Sequence, residues 1–158
     1  MLYEEKIIET IPVGPLGLIP LKSCRILGEK VDRYLVDWRR ERESEHKTTI
    51  AFAGYQKDSY MIDAGTPRFG SGEGKGTLNE SVRGDDLYLM VDVCNHSLTY
   101  SLSGKVNHMS PDDHFQDLKR VIAAVGGKAR RINVIMPFLY ESRQHKRTSR
   151  ESLDCALA

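Results

Sequence analysis

Apolar and polar positions change period several times along this chain, and those changes divide it into elements. Residues 11–17 read Ile-Pro-Val-Gly-Pro-Leu-Gly, a spacing of Pro and Gly that excludes a helix. Leu18-Ile19-Pro20-Leu21 predicts a short edge strand, the place where a sheet tolerates Pro. Ser23 is a good N-cap, and after it Leu27, Val31, Tyr34, Leu35 and Trp38 recur at helical spacing and predict one apolar stripe. The stripe dissolves into a mixed-charge run over 39–47. Its alternating signs build no sustained field, so it reads as a solvated helix end or loop rather than a partner-binding patch. Residues 50–53 and 60–62 each predict a short strand, and the glycine-alternating stretch 70–76 predicts a turn leading into a strand over 77–80. Residues 86–93, Asp-Leu-Tyr-Leu-Met-Val-Asp-Val, have the near-continuous apolar character of a buried parallel strand. A polar loop is expected over 95–110. Ser110, Pro111, Asp112 and Asp113 then supply an N-cap, a Pro at the first helical position and two acids in the first turn. Phe115, Leu118, Val121, Ile122 and Val125 predict the buried face of that helix, and Gly126-Gly127 its end. A second buried strand is expected over 132–138, and a last helix over 151–158, opened by Ser149 or Ser152. Strand, helix and strand over 86–138 make a βαβ unit, so the fold class is α/β with a parallel sheet flanked by helices.

Composition narrows the function classes. The 158 residues suffice for one domain with its own core, and a second full domain is not expected. Lys and Arg number 23 against 22 Asp and Glu, a balance of +1 that argues against a surface built to hold nucleic acid or an anionic membrane. No apolar run approaches the ~20 residues that span a bilayer. The first residues carry acids where a signal peptide carries a basic start. Cys24, Cys94 and Cys155 are odd in number and far apart, which points away from a disulfide framework and towards a reducing cytoplasm. The last residues, Leu153 to Ala158, form an amphipathic helical pattern without a C-cap, from which a natural chain that continues is expected.

Candidate chemistry is sparse. The glycine stretch fails the GxxxxGK[ST] phosphate loop, because Gly76 follows Gly74-Lys75, and it fails GxGxxG as well. The five His show no metal-ligand spacing, and no nucleophile elbow or comparable signature appears. The basic cluster from Arg143 to Arg150 is more informative, because it follows an expected strand. Open α/β sheets bind ligands at the carboxyl ends of their strands, where fixed cations and hydroxyls hold an anion such as a nucleotide polyphosphate. A solvated basic loop is the competing reading.

Taken in order, four motifs settle that choice. They are Phe69-Gly70-Ser71-Gly72-Glu73, then Asn79 to Asp86, then Arg130 to Phe138, then Arg143-Gln144-His145-Lys146-Arg147 with Ser149-Arg150-Glu151. This order resembles the N-terminal half of ribose-phosphate pyrophosphokinase (phosphoribosyl pyrophosphate synthetase), which reads FSDGE, NENVRG, a strand ending in Pro and an aromatic residue, ARQDRK and SRE. The resemblance covers about residues 66–158, with a weaker match in the first helix. Residues 1–20 look like an extension and 40–60 like an insertion. It implies a phosphoribosyltransferase-like N-terminal domain. The whole enzyme of the family transfers the diphosphoryl group of ATP to ribose 5-phosphate with Mg²⁺, as a homo-oligomer.

Carried over, Phe69, Ser71 and Glu73 would hold the adenine, with Phe69 stacked on the base and Glu73 accepting from its exocyclic amine. Arg143 and Gln144 would face the phosphates from a neighbouring subunit. Arg83, Ser149 and Arg150 match a regulatory phosphate site. No catalytic residue and no metal ligand is expected in this chain. Ser71 replaces the family Asp, His145 replaces the Asp of the ARQD motif, and the ribose-5-phosphate loop, two acids and a Thr-Gly-Gly-Thr stretch, is absent. The leading expectation is therefore the N-terminal part of a divergent synthetase, inactive by itself. A non-catalytic paralogue that binds nucleotide or associates with synthetase subunits stands second. A nucleotide-independent oligomerisation domain stands third.

Overall fold

The structure is a computed structural model, and residues 12–45 and 56–158 are described. Three strands make a parallel sheet: β1 (Leu16–Pro20), β4 (Asp86–Met90) and β7 (Arg131–Ile135), in the order β1-β4-β7. The register sets Leu16 opposite Asp86 and Asp86 opposite Arg131. Two short strands, β2 (Ala64–Gly65) and β3 (Thr77–Leu78), pair antiparallel, as do β5 (Thr99–Leu102) and β6 (Lys105–His108). A single 3₁₀ turn over Lys22–Cys24 leads into α1 (Arg25–Ser44). The remaining helices are α2 (Pro111–Val125) and a one-turn α3 (Asp154–Leu157).

Strand periodicity explains why helices cover both faces of the sheet. Ile19, Leu87 and Leu89 point one way, into a core shared with Leu118, Val121 and Val125 of α2. Leu18 and Tyr88 point the other way, towards Val31, Leu35 and Val36 of α1. The parallel sheet flanked by helices is thus present, with β4 buried at its centre.

The start of α2 is as the residue types foretell. The Ser110 hydroxyl accepts from the Asp113 amide, and the Asp113 carboxylate accepts from the Ser110 amide, closing a capping box with Pro111 in the first turn. Gly126 ends the helix in the left-handed conformation at φ 58°.

Other expectations are corrected. The span 95–110 is no loop. It contains the β5–β6 hairpin, turned by Ser103 and Gly104 at φ 49° and 78°. Positive φ at both turn positions matches the right-handed strand twist. The regular part of the central strand ends at Met90 rather than 93, that of β3 at Leu78 rather than 80. The last strand spans 131–135, not 132–138, and is an edge: Val134 and Ile135 are 43% and 41% exposed. Ser23 does not cap α1. It sits in the 3₁₀ turn, where its hydroxyl accepts from the Asp92 amide at 3.0 Å.

α1 turns inward only part of the foretold stripe, Val31 and Leu35. It buries Gly28, Asp32 and Val36, while Leu27, Tyr34 and Trp38 are exposed. Asp32 explains the rotation, because its carboxylate accepts from the Tyr60 amide at 2.6 Å and the Ser59 hydroxyl at 2.8 Å. That ties the helix to the segment 59–62. There Leu18 and Met61 form a single parallel bridge beside β1, all that develops of the strand expected at 60–62. The last helix begins after Leu153, so neither Ser149 nor Ser152 caps it. The strand expected at 50–53, and parts of the expected extension and insertion, lie outside the described residues.

Candidate functional site

Two loops and one turn carry the candidate residues. The first loop connects β2 to β3. Its tip is a closed turn in which the Phe69 amide donates to the Glu73 carbonyl at 2.7 Å and the Gly72 amide to the Phe69 carbonyl at 2.9 Å. Arg68 and Gly74 bridge its base. The turn presents the Phe69 ring to solvent at 54% exposure, and a flat apolar surface so placed can stack on a nucleobase. The Ser71 hydroxyl donates to the Glu73 carboxylate at 2.8 Å. The three residues expected to hold a base are therefore together on one turn. In the place of the family Asp, Ser71 occupies a lone pair of the carboxylate that would accept the exocyclic amine.

The turn leans on elements that its sequence does not announce. On one side Arg68, its side chain 10% exposed, reaches Asp117 of α2 at 3.1 Å and Asp113 at 3.7 Å. On the other side its guanidinium lies over the Tyr100 ring, 5.1 Å from the centroid. The hairpin also meets the turn through its backbone, since the Ser103 amide donates to the Gly70 carbonyl at 3.2 Å. Asp117 is held a second time by Arg120 at 2.7 Å. These contacts were missed because the hairpin was read as loop. The alternation Thr-Tyr-Ser-Leu, then Ser-Gly, then Lys-Val-Asn-His was the signal that could have found it.

Arg143 and Gln144 lie in a turn after β7, entered through Glu141 in the left-handed region at φ 56°. Gln144 anchors the turn: its side-chain amide donates to the Ser152 carbonyl at 2.8 Å, and its carbonyl accepts from the Cys155 amide at 3.2 Å. The Arg143 guanidinium is exposed and finds no hydrogen-bond or ion-pair partner among the described residues. It is thus an exposed cation in the connection that follows β7. No hydrogen bond or ion pair among the described residues joins this turn to the Phe69–Glu73 turn.

Arg83 is exposed and pairs with neither Asp85 nor Asp86. Asp86 belongs to Arg131, whose Nε and Nη2 donate at 2.8 and 2.6 Å, and to Asn133 at 2.9 Å. The Arg131 hydrogen bonds hold the Asp86 carboxyl below its usual range against the opposing effect of burial. Burial pushes the Asp85 carboxyl up. Ser149 and Arg150 precede the last helix in an exposed segment. There the Glu151 carboxylate accepts from the Thr148 amide at 2.6 Å, and from the Thr148 hydroxyl at 3.1 Å, which lowers its pKa.

A cavity of about 640 Å³ lies over the first turn of α2, lined by Asp112, Asp113, Lys119, Tyr140, Glu141 and Asp154 among others. Tyr140 stacks on Phe115 with centroids 4.1 Å apart and donates to Asp112 at 2.7 Å, which raises its hydroxyl above the usual phenol range. Four carboxylates against one lysine repel a polyphosphate, so this concavity is not where a nucleotide would sit. Among the described residues no group of three or more His, Cys, Asp or Glu could hold a metal ion. No described helix is long and apolar enough to cross a membrane.

The sequence profile of the N-terminal domain of ribose phosphate pyrophosphokinase matches residues 16–158. The chain belongs to this family. Its structure is also similar to phosphoribosylpyrophosphate synthetase from Mycobacterium smegmatis, with a TM-score of 0.61 at 21% identity over 90% of this chain. At that identity the likeness speaks for the fold, which is the α/β arrangement expected. The chain spans 37% of the length of that protein. No curated protein matches the chain in sequence. The family relation bears out the resemblance read from the motifs, while the role of each candidate residue is left to chemistry.

Proposed function

We propose that this chain is the nucleotide-holding N-terminal part of a ribose-phosphate pyrophosphokinase. The whole protein would transfer the diphosphoryl group of ATP to ribose 5-phosphate. The observation that carries the reading is the closed Phe69–Glu73 turn, which puts an exposed aromatic ring and a carboxylate on one rigid support. Stacking on Phe69 and acceptance of the exocyclic amine by Glu73 would select adenine. Arg143, exposed and without a partner among the described residues, would neutralise charge that develops on the phosphates during transfer. Those two groups would act on one ATP across neighbouring subunits, which makes a homo-oligomer part of the proposal. Mg²⁺ would enter with the triphosphate, whose phosphate oxygens supply ligands for it. Arg83, Ser149 and Arg150 would gather a regulatory anion.

A second reading, a non-catalytic paralogue, is favoured by the Ser71–Glu73 hydrogen bond, which competes with the amine for the same carboxylate. Calorimetric titration of the full chain with ATP and with inorganic tripolyphosphate tests the first step. Tighter binding of ATP supports base recognition at the turn, and absence of ATP binding ends the nucleotide reading. With ribose 5-phosphate added, the chain is expected to release no phosphoribosyl pyrophosphate, since proximity accelerates only substrates that are both positioned. Product from this chain would show that its own residues complete the site.

A further inference from the structure

Arg68 is buried, charged and unclaimed by the reaction proposed above. Its side chain is 10% exposed, and that of Asp117 beneath it 4%. A buried ion pair costs desolvation on both sides, so on its own it is weak evidence of stabilisation and needs another reason to exist. Asp117 would not lack a cation without Arg68, because Arg120 already meets its other oxygen at 2.7 Å. What Arg68 alone does is join three elements at the residue next to Phe69. Its guanidinium contacts α2 through Asp117 and Asp113, covers the Tyr100 ring of the hairpin, and its backbone bridges to Gly74 across the base of the turn. Gly74 is kept small by the same arrangement, since a Cβ there would lie 2.8 Å from the Arg120 guanidinium and 3.1 Å from that of Arg68. Leu102 of the hairpin packs over Gly72 in the same way.

We propose that Arg68 is a positioning residue for adenine recognition: it clamps the Phe69–Glu73 turn between α2 and the β5–β6 hairpin, so that the ring and the carboxylate are already in place when a base arrives. The proposal rests on the nucleotide reading and deepens it. Pre-ordering of a loop raises affinity by removing an ordering cost from the binding step. Arg68 does not touch the ligand, so its effect passes through the base contacts and not through the phosphates.

That separation gives the test. Arg68→Met, Arg68→Lys, Phe69→Ala and the double variant Arg68→Met/Phe69→Ala are titrated with ATP and with inorganic tripolyphosphate, which has no base. Arg68→Met is expected to weaken ATP about tenfold, the scale of one base–aromatic stack, and to leave tripolyphosphate unchanged. Arg68→Lys should recover part of the loss. The double variant should lose less ATP affinity than the sum of the two single losses, because Arg68 acts in part through the Phe69 contact. ATP binding by Arg68→Met equal to wild type, or equal losses for ATP and tripolyphosphate, overturns the proposal. Should Arg68→Met fail to fold, Tyr100→Leu removes the outer half of the clamp and keeps the ion pairs, and it is held to the same two outcomes. If the wild-type chain binds tripolyphosphate and ATP alike, the base-recognition reading itself fails and the clamp has no function to serve, a result distinct from a failure of Arg68 alone.

Discussion

Gly76 and Gly70 lie six positions apart in one glycine-alternating stretch, and the structure gives them opposite tolerance to a methyl group. A Cβ on Gly76 would press into the carbonyl oxygen of Arg120, lie 2.5 Å from the carbonyl carbon and 2.9 Å from the Val121 amide nitrogen. All three are backbone atoms of α2. A Cβ on Gly70 would meet nothing within 4 Å. Relief at Gly76 requires β3 and α2 to separate by about 1 Å, and α2 cannot give freely because Leu118, Val121 and Val125 fix it in the core. Overpacking of this kind costs about 2–3 kcal/mol, or roughly 4–12 °C in Tm for a chain of this size. At Gly70 the change trims the unfolded ensemble and is worth about 0 to +1 kcal/mol of stability. Urea titration of Gly76→Ala, Gly70→Ala and the parent at one temperature, with m-values compared, reads both directly. Equal midpoints for the two variants would refute the reasoning, since a merely flexible turn would treat its glycines alike.

Three further outcomes are expected. Ser110→Ala opens the capping box of α2 and should lower stability by about 1 kcal/mol in the same titration, with Lys105→Ala as an exposed control near zero. Asp86 has a folded-state pKa below its unfolded value, so its contribution is complete above the unfolded pKa and is lost as pH falls through the folded one. Asp86→Asn should therefore destabilise the protein at neutral pH and flatten the stability profile below about pH 4, and an unchanged acid slope would contradict the Arg131 pairing. Arg143→Ala should weaken tripolyphosphate binding by about 1.5–3 kcal/mol, the worth of one charge-assisted contact, while Lys30→Ala on the exposed face of α1 leaves it unchanged by calorimetry.

Elements whose signals were local were legible, and those decided by distant partners were not. The capping box at Ser110, the glycine stop at Gly126 and the start of β4 at Asp86 each depend on a few neighbouring residues, and each stands where it was expected. The rotation of α1 was illegible because it turns on Asp32, whose partners at Ser59 and Tyr60 lie some thirty positions away. By periodicity an acid inside the helix belongs on the wet side, yet two donors from another segment pull it inwards and expose Tyr34 and Trp38. The strand β7 was read as buried because Ile132, Val134 and Ile135 are apolar, but among the described residues no strand pairs along its outer edge. The hairpin was misread because Asn, Ser and His weigh towards loop, although period-two alternation outranks composition for a half-exposed ribbon.

The candidate site divides along the same line. The motifs of the family resemblance pointed to the ring at 69, the carboxylate at 73 and the cation at 143. They could not name Arg68, whose meaning lies wholly in what stands on either side of it. At 149–150 only the helix start is corrected: the last helix, expected to open at Ser149 or Ser152, begins at Asp154, and the Thr148 amide donates to Glu151. On the proposal that Arg83 and Arg150 gather an anion, one that also used the Thr148 amide would displace the Glu151 carboxylate rather than fill an open helix end. The exchange trades one negative group for another on the same donor, so its gain comes mainly from the two arginines. Binding at that place is then expected to depend on both guanidiniums together and to be weakened by salt, since exposed charges are screened within about 10 Å. Under that proposal Glu151 would compete with the anion for the Thr148 amide, so an anion carrying more charge than one carboxylate, phosphate rather than chloride, would gain from the exchange.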